Sequence, residues 1–272
     1  MLEYIENKPK WLTSADYLTV MGSRAYGTET ENSDWDFYGF VIPPIDILFP
    51  HTKGEIPGFG RNIQRFEQFE MQHTPHSEYG QFDITVYNIV KYFQLLMEGN
   101  PNLIDSIFTD DDCVLEKSFI GKKVKSNRHL FLSQKCYHTF KGMMWSHLSR
   151  LKSGHVKEGR KEDSKKYGWD VKDGYHSVRM IFQLEQILFT GDVDLKKYSN
   201  TLLGIRNGRN TLDEVIEFCE NKLIEFEDIV RNHPKRICIP YSPDEKTIHS
   251  LLVDCLEEKY GNLDIYGYGI YV

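Results

Sequence analysis

The chain has 272 residues and a mass of 31.9 kDa, with 40% apolar and 13% aromatic residues, enough to bury a core and to exclude wholesale disorder. No stretch of about 18 apolar residues occurs, so no membrane span is expected. The net charge of −7 is uneven: residues 117–179 hold 16 Lys and Arg against 5 Asp and Glu, net +11, and the remainder is net −18. A basic middle between acidic flanks can attract polyanions despite the negative total, or it can be a solvated helical face. The polar start MLEYIENKPKW lacks the apolar core of a secretion signal, so a cytoplasmic location is expected. Cys113, Cys136, Cys219, Cys238 and Cys255 are scattered and form no CxxC pair, which argues for reduced thiols rather than a zinc knuckle or a disulfide framework.

In chain order, residues 17–23 are β-branched and aromatic and read as a strand running into a glycine turn. A polar loop at 24–33 follows, then a strand at 35–42 closed by Pro43-Pro44. Residues 51–80 read as an irregular insertion with one hairpin, from the alternation near 63–71. Residues 82–87 alternate as another strand, and Asn88 caps a helix at 89–98 that ends at Gly99. Asn100-Pro101-Asn102 starts a short helix. From about 115 the pattern is helical: one long helix at 126–152, a charged, Gly-containing loop at 153–168, and a helix at 170–190 ended by Gly191. A further helix at 211–231 carries a capping box of Thr211 and Glu214, and the tail holds a short helix near 244–257 and a Gly- and Tyr-rich end.

Chemistry concentrates at Gly22-Ser23 and at Asp34-Trp35-Asp36. Side chains two apart on a strand share a face, so Asp34 and Asp36 present two carboxylates together. Such a pair is costly without a cation, and hard oxygen donors suit Mg²⁺, with Mn²⁺ as an alternative. Gly22 lets the backbone approach a phosphate, and Ser23 can donate to it. Asp83, on the next strand, is the third carboxylate, with Glu67, Glu70 and Glu78 as rivals in the neighbouring insertion. Three such carboxylates can hold two metal ions for in-line nucleotidyl transfer from an NTP, Asp83 also helping to take the proton of the attacking hydroxyl. Lys172, His176 and Arg179 stand at i, i+4 and i+7 and line one helical face, as a grip for a triphosphate or as a solvated stripe. His176 also reads as a buried histidine bonded to a carbonyl. Lys141, His147, Arg150 and Lys152, with Tyr137 and Trp145, lie on the long helix as an RNA track or as core. The loop 157–168 either closes over substrate or is plain surface, and Arg206 and Arg209 flank an Asn-Gly turn without an evident use.

The stretch GSRAYGTETENSDWDFYGF resembles the signature of the DNA polymerase β nucleotidyltransferase superfamily, and more narrowly the nucleotidyltransferases associated with RNA repair. The downstream run from Asp83 to Asn100-Pro101-Asn102 and the Lys172, His176, Arg179 set resemble the same narrower family, over roughly 17–110 and 126–210. That family's helix usually has an Ala before its His, where this chain reads Gly174-Tyr175-His176; the insertion at 51–80 and the tail after about 235 fall outside the resemblance.

The resemblance implies an α+β fold: a polymerase-β-like palm, a mixed sheet with flanking helices, followed by a helical domain. The division expected is 1–115 catalytic, 116–234 helical and NTP-binding, 235–272 extension. It implies metal ligation by Asp34, Asp36 and Asp83 and NTP binding by Gly22, Ser23, Lys172, His176 and Arg179. The acceptor expected is an RNA 3′ end, as in tRNA or RNA repair, reached through 117–179, with an RNA ligase or end-healing kinase as a conceivable partner. Two alternatives stand beside it: a protein-modifying nucleotidyltransferase of toxin–antitoxin type, and a non-catalytic RNA-binding protein.

Overall fold

The computed structural model describes residues 2, 5, 7–31, 33–60, 64–76, 79–156 and 160–261. The Gly- and Tyr-rich end and Glu78 lie outside them. Strands β1 (Tyr17–Met21), β2 (Trp35–Val41), β3 (Gln68–His76), β4 (Gly80–Asn88) and β5 (Val114–Lys117) form a mixed sheet of order β3-β4-β2-β1-β5. Only β2 and β4 run parallel; the other neighbours are antiparallel. Around the sheet lie α1 (Gly22–Ala25), α2 (Ile45–Leu48), α3 (Ile89–Met97), α4 (Pro101–Phe108), α5 (Phe119–Ser126), α6 (Lys135–Ser153), α7 (Lys161–Tyr167), α8 (Val171–Thr190), α9 (Ser199–Arg206), α10 (Leu212–Asn232) and α11 (Glu245–Tyr260). The fold is α+β, as expected.

The period of two along the strands sorts the side chains between two cores. Leu18, Val20, Phe37, Val41, Phe82, Ile84 and Val86 face a smaller core closed by Leu2, Ile5 and Leu12. Tyr17 and Phe40 face the larger one, which continues without interruption through α3, α4, α6, α8 and α10 to Leu256 in α11. Asp36, Asp83, Tyr38 and Thr85 have the parity of this second face, so the carboxylates point toward the helices. Among the described residues, no helix is long and apolar enough to cross a membrane. The cysteines are free, four of them buried and Cys238 exposed.

Local signals set most helix ends. The Asn88 side chain accepts from Lys91 N at 2.7 Å and caps α3, and Asn100 caps α4 ahead of Pro101. The Thr211–Glu214 capping box opens α10 with both reciprocal bonds present. Four expectations need correction. β1 stops at Met21, because Gly22 turns the chain at φ +66° into the single turn α1. The strand of the insertion lies at 68–76, not 63–71, because it follows the register of its partner β4. The long helix expected at 126–152 begins only at Lys135: the preceding α5 ends at Ser126, where Asn127 Nδ2 donates back to Lys123 O, a 3₁₀ turn spans Arg128–Phe131, and Ser133 Oγ accepts from Lys135 N as α6 begins. Asn and Ser side chains compete for backbone partners in this way, and the apolar spacing hid the break. The loop expected at 153–168 contains α7, and α9 was not foreseen.

Candidate active site

A cavity of about 390 Å³ opens between the sheet and the helices, lined by Gly22, Ser23, Tyr26, Ser33, Asp34, Asp36, Asp83, Arg160, Lys172, Tyr175, His176 and Arg206. Its size is that of ordinary small-ligand sites. The structure brings together seven of the eight residues expected at the site, contributed by β1–α1, β2, β4 and α8. Asp36 and Asp83 are direct neighbours across the parallel β2–β4 pair, and Met21 pairs with Asp36 on the other side. Asp34 stands just before β2 rather than within it. The loop that carries it is held at both ends: Arg24 Nη2 donates to Ser33 O at 3.0 Å, and its guanidinium stacks 3.7 Å over the Trp35 ring. Gly22 is required by space as well as by its φ, since a Cβ there would collide with Asp36 Oδ2.

The carboxylate wall is electrostatically incomplete. Burial pushes the Asp36 carboxyl above the usual carboxylate range, the neighbouring Asp83 and Asp34 push it further, and Lys172 opposes them. Asp83 Oδ1 accepts the backbone N–H of His73 at 2.6 Å. That N–H reaches it because β3 is bulged between Met71 and Thr74, with His73 at φ +51°. Glu70 stands opposite Thr85, one step further along the same face, and hydrogen-bonds Gln68 and Gln72; Glu67 lies near Lys91. Neither rival lines the cavity. Among the described residues, no group of three His, Cys, Asp or Glu is drawn in closely enough to hold an ion as the side chains stand. The donor set nevertheless fits one: three hard-oxygen donors share a cavity, and their mutual repulsion at Asp36 is what a divalent cation relieves.

The opposite wall is cationic. Lys172 is half-buried, and burial, then Arg160 and Arg206, depress its amine below the usual lysine value, against the pull of Asp34 and Asp36. Burial first, then the charges of Arg179, His147, Lys172 and Arg160, holds His176 well below the usual histidine value, so its ring is neutral. The carbonyl bond considered for His176 is absent: among the described residues its recorded contacts are ring contacts, to His147 at 5.2 Å and Tyr175 at 4.9 Å. Gly174, on the same helix, lies against the Trp169 ring, which a Cβ would strike, and this accounts for a glycine there.

Arg179 is the expected site residue that the structure places elsewhere. It is buried beneath the cavity, with Nη1 2.5 Å from Asp105 Oδ2 and 3.2 Å from Gln183 Oε1, and its guanidinium 4.2 Å over the Tyr26 ring. Tyr26 OH donates to the same Asp105 oxygen at 2.6 Å. The helix begun by Asn100-Pro101-Asn102 therefore supplies the carboxylate that holds Arg179. Through Tyr26 this pair fixes the loop joining Ser23 to Asp34. Tyr26, Ser33, Arg160, Tyr175 and Arg206 were missed as lining residues. Arg206, whose Nη1 donates to Thr28 O at 2.7 Å, had only the adjacent Asn-Gly turn as a signal, and Arg160 only a lysine-rich loop.

The basic segment 117–179 folds onto the acidic remainder. Lys117 and Lys125 meet Asp111, Lys123 meets Asp254, Arg128 meets Asp192, Lys141 meets Glu227 and Lys152 meets Glu220. On α6, Tyr137 is core and Trp145 is exposed.

A model of the RNA repair pathway DNA polymerase beta family matches residues 2–254. An uncharacterized 38.9 kDa protein of Enterobacteria phage T4, from the nrdC-mobD intergenic region, is 26% identical over 116 residues. That match covers 42% of this chain and 32% of the phage protein, so it spans about a third of that relative's length. A crystal structure of a nucleotidyltransferase-like protein from Exiguobacterium sibiricum aligns over 91% of this chain and 75% of its own, at 9% identity and a TM-score of 0.31. With the family model spanning nearly its whole length, the chain belongs to the RNA repair pathway DNA polymerase beta family, and with it to the polymerase-β-like nucleotidyltransferases.

Proposed function

We propose that the chain moves a nucleoside monophosphate from an NTP to a hydroxyl, releasing pyrophosphate, with an RNA 3′ end as acceptor. The observation that carries this reading is the pairing of Asp36 with Asp83 across parallel strands, facing a cavity whose other wall is Lys172, His176 and Arg206. One wall suits divalent cations and the other suits phosphates. Asp34, Asp36 and Asp83 would hold Mg²⁺ or Mn²⁺, which when bound supplies charge neutralisation for the phosphates and a lower pKa for the attacking hydroxyl. Gly22 and Ser23 accept the approach of a phosphate at the end of β1. Lys172 supplies a positive charge to the developing pyrophosphate, and the neutral His176 ring supplies a donor without adding charge. Asp83, held through Oδ1 by the His73 amide, keeps its other oxygen for the hydroxyl side. The helical part, 116–234, contributes the phosphate wall and the palm, 1–115, the carboxylates.

A second reading, a protein hydroxyl as acceptor, is favoured by the pairing of so many cations of 117–179 with acidic partners, which leaves less free charge for an RNA backbone. The test is transfer of α-labelled NTPs, each base in turn, onto pooled small RNA with Mg²⁺ or Mn²⁺. An Asp34→Ala/Asp36→Ala variant is the control. Label on RNA that disappears in the control supports the first reading, and label on protein supports the second. NTP binding without either product, in the presence of both acceptor classes, refutes transfer to these acceptors.

A further inference from the structure

The cationic wall contains a residue with an unusual mooring. Arg160 lines the cavity, yet its Nη1 donates to Asp173 Oδ1 at 2.9 Å and to Asp170 Oδ2 at 3.3 Å. Asp173 is fully buried in the first turn of α8, next to Lys172. The same carboxylate also meets His147 Nδ1 at 2.9 Å, Arg150 Nε at 2.7 Å and Arg150 Nη2 at 3.1 Å. Asp170 is occupied as well, since its Oδ1 caps α8 by accepting from Lys172 N and Asp173 N, both at 3.0 Å. Burial raises the Asp173 pKa, but the bonds from His147, Arg150 and Arg160 outweigh it and hold the group well below the usual carboxylate range.

Three cations, Arg160, Lys172 and Arg206, line the cavity opposite Asp34, Asp36 and Asp83. Of the three, Arg160 is the one whose side chain is tied to the carboxylates behind the wall, Asp170 and Asp173, and Asp173 is also held by Arg150, outside the cavity lining. Asp173 would remain hydrogen-bonded by His147 and Arg150 if Arg160 turned away. Among the described partners of Asp173, Arg160 is the one that lines the cavity, so the buried carboxylate can share it with an incoming anion at small cost. The segment beyond it is anchored too, since the Tyr167 ring at the end of α7 packs against Gly208, two residues past Arg206.

We propose that Arg160 is a further phosphate ligand of this cavity and that Asp173 is the residue positioning it, sharing its guanidinium with the polyphosphate of a bound nucleotide. The class of ligand follows: a nucleoside triphosphate or diphosphate, rather than a monophosphate, has the charge to draw on Arg160. The nucleotide part of this statement rests on the function proposed above; the anion-binding part stands on the wall itself.

The experiment is calorimetric binding of NTP, NMP and inorganic tripolyphosphate to the full chain, Arg160→Ala, Arg160→Lys, Asp173→Asn and the double variant Arg160→Ala/Asp173→Asn. Loss of one charge-assisted bond predicts NTP and tripolyphosphate binding weakened about ten- to a hundredfold in Arg160→Ala, with NMP changed less than about threefold. Arg160→Lys recovers part of the loss. Asp173→Asn weakens the same ligands, and the double variant is no worse than Arg160→Ala alone, because Asp173 acts through Arg160. Should Asp173→Asn not fold, His147→Gln serves as the readout of the same mooring. Equal loss of NTP and NMP, additive losses in the double variant, or an unchanged Arg160→Ala would each overturn the proposal. If the full chain binds tripolyphosphate through Arg160 but binds no NTP, the anion site stands and the nucleotide reading falls. If it binds neither, both fall.

Discussion

Replacing Gly22 by alanine separates geometry at the site from stability of the fold. Gly22 has φ +66°, where a residue with a Cβ loses roughly 1–2 kcal/mol. For a chain of this size that lowers the melting temperature by about 2–8 °C. The added Cβ also collides with Asp36 Oδ2, so the carboxylate must turn or shift. A displacement of about 1 Å at a reacting centre costs on the order of a hundredfold in rate. Gly54→Ala is the matched control: Gly54 has φ +83° with nothing within 4 Å of its notional Cβ. Both variants should melt a few degrees lower, but only Gly22→Ala should lose transfer activity, measured as pyrophosphate release. If Gly22→Ala stays within about threefold of the parent, or if both variants lose activity in step with stability, the positioning role of Gly22 is wrong.

Three further outcomes are expected. His176 is held neutral in the fold, whereas in the unfolded chain it takes up a proton below about pH 6.5. The unfolded state then binds more protons, so this group removes up to about 1.4 kcal/mol of stability per pH unit as pH falls below that value. His176→Gln should flatten the urea-unfolding profile between pH 7 and 5, and an unchanged slope would contradict a ring held neutral in the fold. Arg179→Met leaves Asp105 buried and unpaired and should cost about 3–5 kcal/mol, while the double change Arg179→Met/Asp105→Leu should recover much of it in denaturant titrations. Mg²⁺ or Mn²⁺ at a hundredfold excess over its Kd should stabilise the parent by about 2.7 kcal/mol. It should have no such effect on Asp36→Asn, and an equal thermal shift in both would place the ion elsewhere.

What the sequence determined by itself was local. Asn88, Asn100 and the Thr211–Glu214 pair satisfy the free N–H groups of the helix each precedes, so their positions mark helix starts without knowledge of anything distant. The shared face of Lys172 and His176 likewise follows from the helical period alone, whereas Asp34, just before β2, is placed by its loop and not by the strand period. Only the tertiary structure decided what those faces meet. The parallel β2–β4 register sets Asp83 beside Asp36, and α8 brings Lys172 opposite them. Arg179 shares its helical stripe with Lys172, yet the cavity ends above it and Asp105 takes its charge. Arg160 and Arg206 reach the site from segments with no periodic signal, and the lysines of α5 and α6 find acidic partners far along the chain. Helical period fixes direction around an axis; which charges are buried, paired or left facing a cavity depends on elements distant in sequence, and no local pattern encodes that.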